Sequence, residues 1–175
     1  IMFNYIIYRI GEFLARVFPL KSGYILACII SNMQYLLSFK DRNAVSNNLK
    51  VVLPGRDKGA LKQYTKEVFI NFGRYLVDFF RAADIDRSYI SNNIAVEGLD
   101  KLDAALAKGR GVIVVSAHIG NWELGGAILG NLGYKVNAIA LPHKHKKVDA
   151  FFNRQRKFNG MRVIPLGKAV RNCLE

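Results

Sequence analysis

Apolar residues recur every three or four positions through the first eighty residues, then give way to short apolar runs alternating with helix-compatible stretches. The first pattern predicts helices. Over 1–18, Ile6, Ile10, Phe13 and Val17 share one face and Arg9, Glu12 and Arg16 another, which is an amphipathic helix. Such a helix either packs on a core or lies on a membrane surface. Pro19 separates it from a second helix over 23–39. Asp41 is a candidate N-cap for a third over 41–50, which the turn Val51-Val52-Leu53-Pro54-Gly55 closes. Asp57 caps a long helix from about 58 to 82. Its Tyr64, Val68, Phe72, Tyr75 and Phe79 form a stripe of the kind that fills a core.

The second pattern predicts strands between helices. Ile94–Gly98 reads as a short strand and 99–108 as a helix ended by Gly109. Gly111–Ser116 is rich in β-branched residues and apolar almost throughout, as buried parallel strands are. A helix over 121–132 ends at Gly133, a strand over 135–140 stops before Pro142, and a helix over 148–159 precedes a strand over 161–165. The expected class is therefore α/β: a helical N-terminal region followed by a mostly parallel sheet flanked by helices. One domain is expected over 1–175, with 1–90 helical and membrane-associating and 91–175 an α/β catalytic core. The chain begins Ile-Met and stops at Glu175, inside a helix expected from about Lys168. A fragment of a longer protein, with its sheet incomplete at the C-terminus, is the expectation.

Charge and composition narrow the partners. Lys and Arg number 26 against 13 Asp and Glu, a net charge of +13 on 175 residues. That excess suits nucleic acid, an anionic membrane surface or an anionic substrate alike. Residues 22–39 carry no charge and lie between Lys21 and Lys40, but Ser31, Asn32 and Gln34 interrupt them. A buried or interfacial helix fits better than a spanning one. Cys28 and Cys173 lack metal or disulfide spacing and read as reduced thiols of a cytoplasm-facing protein.

The chemistry concentrates in His118-Ile119-Gly120-Asn121-Trp122-Glu123. Two side chains five apart within one helix point away from each other. They can cooperate if His118 sits in a loop and the helix starts at Asn121. Asn121 is then an N-cap, Gly120 gives the backbone freedom to turn, and Glu123 falls in the first helical turn, where the helix dipole favours its charge. A carboxylate that accepts one imidazole N–H fixes the tautomer and makes the other nitrogen a better base.

The string H-x-G-N-W-E resembles the lipid A biosynthesis acyltransferases of the lauroyl and myristoyl type, within the lysophospholipid and glycerolipid acyltransferase superfamily. Arg42 with Asn47-Asn48-Leu49 and Pro54, Asn71-Phe72-Gly73, Glu97-Gly98-Leu99, Lys108 to Gly111, and Pro142 with Arg156 and Gly160 extend the likeness along the chain. The resemblance implies transfer of a fatty acyl chain from a thioester of acyl carrier protein, or of coenzyme A, to a hydroxyl of a membrane glycolipid such as a lipid A precursor. It implies His118 as general base and Glu123 as its partner, with Gly120, Asn121, Trp122 and Arg156 at the substrate. It also implies no metal, no cofactor, no covalent acyl-enzyme, and a place on the cytoplasmic face of a bacterial inner membrane, peripheral or held by one N-terminal anchor. Members of that family continue beyond the length of this chain.

Other features carry less. His143 and His145 alternate as strand ligands would, with Asp149 near, but the lysines around them disfavour a dication. Ser116 lacks a nucleophile elbow, and no phosphate-binding glycine loop follows a strand. A basic nucleic-acid binder leaves the H-x4-E turn unexplained, so no nucleic-acid partner is expected. A membrane-associated module that keeps the fold without turnover is the other alternative.

Overall fold

The computed structural model describes residues 2–168. The chain divides into two compact units, Ile1–Arg81 and Ala82–Glu175.

The first unit is helical: α1 (Met2–Val17), α2 (Leu20–Leu37), α3 (Phe39–Val52) and α4 (Lys58–Phe80). The long α4 packs against the other three. Asp57 caps it, accepting the Ala60 N–H at 3.0 Å, and the amides of Ala60 and Gly59 hold the Asp57 carboxyl below its ordinary range. At the start of α3 the expected cap is displaced. Ser38 stands at the N-cap and its hydroxyl donates to Asp41 at 2.6 Å, inside the first turn. Gly73 lets α4 close on α2, because a β-carbon there would strike the Ser31 hydroxyl and stand 3.2 Å from the Ala27 carbonyl oxygen. Beside that crossing Tyr35 meets Phe69 edge-on at 5.7 Å, and Tyr24 donates to Asp78 at 2.5 Å.

Both N-terminal helices present their apolar faces outward. In α1, Glu12 and Ala15 are buried while Ile6, Ile10, Phe13 and Val17 are exposed. In α2, Gly23, Ser31 and Tyr35 are buried while Ile25, Ile29, Met33 and Leu36 are exposed. Small residues on the inner face bring these helices close to α4, and the larger apolar side chains are left on the outside. No helix among the described residues is long and apolar enough to cross a membrane.

The second unit contains α5 (Arg87–Asn93), α6 (Leu99–Leu106), α7 (Trp122–Leu132), β1 (Asn137–Ala140), α8 (Lys146–Phe158) and β2 (Arg162–Pro165). The strands pair in parallel, from Asn137 opposite Arg162 to Ala140 opposite Pro165. With α8 as the crossover this is one βαβ unit. Ile85, Ile90, Ala127, Ile128 and Met161 form a core beneath α5 and α7. Gly130 brings α7 onto the turn before β2, since a β-carbon there would strike the Asn159 carbonyl oxygen.

Two expected strands are absent. Ile94–Gly98 is irregular, and so is Gly111–Ser116. In the second segment Ile113 and Val115 are 92% and 90% exposed, where a buried strand was expected. β-Branched composition favours a pleated surface only when a neighbouring strand supplies the ladder, and none stands beside it among the described residues. Helix α5 was missed because only Asp86, which accepts the Tyr89 N–H at 2.7 Å, signals it.

Candidate active site

The loop-to-helix transition forms as the sequence requires. Asn121 is the N-cap of α7 and its side chain accepts the Leu124 N–H at 3.0 Å, which places Glu123 in the first turn. Gly120 has φ 72°. His118 has φ 55°, making it the one non-glycine residue with positive φ among the described residues. A β-carbon in that region costs of order 1–3 kcal/mol, and strain of this kind collects at functional turns. The His118 N–H donates to the Ser116 hydroxyl at 3.1 Å, which steadies the turn.

The imidazole is exposed. Its Nδ1 lies 3.4 Å from the Ser116 carbonyl oxygen, and its ring lies on Trp122 at 4.6 Å between centroids, tilted by 34°. Trp122 is thus a platform for the histidine. Exposed apolar side chains of Ile113, Val115 and Ile119 surround this turn in sequence.

Glu123 engages a different partner. The Arg156 Nε donates to its two carboxylate oxygens at 3.2 and 3.0 Å, and Arg156 Nη2 donates to Oε1 at 2.5 Å. The two side chains are only 11% and 14% exposed. This is a fork of charge-assisted hydrogen bonds between the first turn of α7 and the last turn of α8. The structure therefore joins Glu123 to Arg156, and His118 to Ser116 and Trp122. No hydrogen bond joins His118 to Glu123 among the described residues. That Arg156 would meet Glu123 was not foreseen. The helical register of 146–158 brings Arg156 to the inner side with the buried Phe152 and Gln155, and this register was the available signal.

The remaining candidates resolve simply. Asp149 accepts the His143 N–H at 2.8 Å, the His143 ring lies on Phe152 at 4.4 Å, and Lys146 and Lys147 open α8. Cys28 is a free, partly buried thiol. Cys173, and residues 169–175 over which a helix was expected, lie outside the described residues.

A model of the bacterial lipid A biosynthesis acyltransferase family matches residues 2–175. Among curated proteins the chain is similar to a phosphatidylinositol mannoside acyltransferase of Mycobacterium tuberculosis, 31% identical over 107 residues. That stretch is 60% of this chain and 34% of the relative. It is also similar to a lipid A biosynthesis palmitoleoyltransferase of Escherichia coli, 30% identical over 126 residues, 71% of this chain and 41% of that relative. The matched stretches thus span between a third and two-fifths of these relatives.

Proposed function

Because this chain belongs to the bacterial lipid A biosynthesis acyltransferase family, we propose that it carries the His–Glu catalytic part of an enzyme that acylates a membrane glycolipid. The donor is an acyl thioester, of acyl carrier protein or coenzyme A. The acceptor is a hydroxyl on a lipid A precursor or a related glycolipid. The reaction takes place at a cytoplasmic membrane surface, which suits a chain of net charge +13 whose first two helices turn apolar faces outward.

In the proposed mechanism His118 Nε2 takes the acceptor hydroxyl proton as that oxygen attacks the thioester carbonyl. The tetrahedral intermediate collapses, the carbon–sulfur bond breaks, and the imidazolium returns the proton to the departing sulfur. The positive end of α7 favours the transient oxyanion. Glu123 orients the imidazole when substrate is bound, a contact that such sites often tighten only in the complex. Arg156 positions Glu123 in the resting site, and its guanidinium has the geometry to meet an anionic group on the acceptor once substrate is bound.

The observation that carries this reading is the positive-φ His118 immediately ahead of a capped helix with Glu123 in its first turn, within a family match over nearly the whole chain. The test is transfer of a radiolabelled acyl group from a thioester to membrane glycolipid. Transfer that disappears in His118→Ala while helix content is retained supports the reading. Undiminished transfer in that variant sinks it.

A further inference from the structure

The helical unit holds a cleft of about 440 Å³ between α2 and α4, lined by Asn32, Tyr35, Leu36, Lys62, Gln63 and Lys66, with Gly59 at its edge. None of these residues belongs to the catalytic turn. From this cleft we infer that the protein has a dedicated binding site for the headgroup of an anionic phospholipid.

Three features of the cleft point the same way. Lys62 and Lys66 stand one turn apart on the same face of α4, so their ammonium groups repel each other until an anion lies between them. Both are exposed, and neither has a salt-bridge partner among the described residues. The nearby acid, Glu67, accepts from Gln63 at 2.9 Å.

On the opposite wall an apolar stripe runs outward beside Asn32. Leu36 is 63% exposed and lines the cleft, and Ile25, Ile29 and Met33 extend the same stripe along α2. An occupant must therefore put negative charge at Lys62 and Lys66 and hydrocarbon along Leu36, Met33 and Ile29. A phospholipid does both, with its phosphate in the cleft and its chains against the outward face of α2. A soluble phosphate would leave the apolar stripe in water.

The site rests on the membrane-surface part of the reading above, but uses none of the acyl-transfer chemistry. Two lysines acting at one anionic headgroup account for a change in partition of roughly 30-fold. The test is sedimentation of the full chain with vesicles of phosphatidylcholine, with or without phosphatidylglycerol. The wild-type chain should favour the anionic vesicles. Lys62→Gln/Lys66→Gln should lower that partition by roughly tenfold or more, and by clearly more than Lys21→Gln/Lys40→Gln on the same unit. Leu36→Asn should weaken binding to both vesicle types without removing the anionic preference.

Equal losses in the two lysine pairs would mean diffuse charge and overturn the site. So would absence of vesicle binding by the wild-type chain. Binding of glycerol 3-phosphate at the strength of the lipid, or capture of purified acyl carrier protein by the same two lysines without vesicle partition, would replace the inference with another occupant. His118→Ala should bind vesicles as the wild type does, so loss of acyl transfer and loss of lipid binding are separable results.

Discussion

The Glu123–Arg156 fork is a charged contact that ties α7 to α8, and its removal gives the sharpest test of the second unit. Arg156→Met keeps the aliphatic stem and deletes all three hydrogen bonds to Glu123. It leaves a carboxylate that is 11% exposed without its cation. Removing one partner of a buried pair costs about 3–5 kcal/mol. The residual exposure of this pair places the expected loss at about 3 kcal/mol. Glu123→Gln should lose a similar amount, since it strands the guanidinium. The double variant has no isolated charge, so its loss should stay below about 4 kcal/mol, and the coupling should reach about 2 kcal/mol. Urea unfolding followed by the fluorescence of Trp122, the chain's one tryptophan, reads this unit directly. A loss under about 0.5 kcal/mol in each single variant, with no coupling, would be the behaviour of an exposed surface pair and would refute the reasoning.

Other outcomes follow from the same geometry. Gly130→Ala forces a β-carbon onto the Asn159 carbonyl oxygen and should destabilise by about 1–3 kcal/mol. Gly125→Ala on the same helix meets nothing within 4 Å and should stabilise by about 0.5–1 kcal/mol, as thermal melts of the two variants would show. The Asp57 carboxyl is held below its ordinary range by the α4 amides, so its contribution to stability is present above that range and is lost as pH falls through the folded-state value. Asp57→Ala should flatten the acid limb of the pH–stability curve, measured by denaturant midpoints over an acid series.

Apart from α5, which Asp86 alone signals, the helices were legible because they carry a periodic face and a stop. Pro19 separates α1 from α2, Asp57 opens α4, and Gly133 closes α7 with φ 103°. The outward direction of the apolar faces of α1 and α2 was not legible. Periodicity marks which residues share a face, but not whether that face or its small-residue opposite is buried. Strands were harder for a related reason. Asn137–Ala140 and Arg162–Pro165 find each other across α8, whereas Gly111–Ser116 has the same kind of composition and no partner among the described residues. At the site, the capped turn could be read from local spacing. The meeting of Glu123 with Arg156, 33 positions away, depends on how α7 and α8 pack and left only a register in the sequence.

The central claim is that His118 serves as the base for moving an acyl group from a thioester to a lipid hydroxyl. The most direct measurement is the single-turnover rate of that transfer, compared between the wild-type chain and His118→Gln at matched vesicle occupancy. A general base contributes on the order of 10²- to 10⁴-fold, so the account predicts a loss of that size with lipid binding unchanged. Equal rates in the two proteins would contradict it.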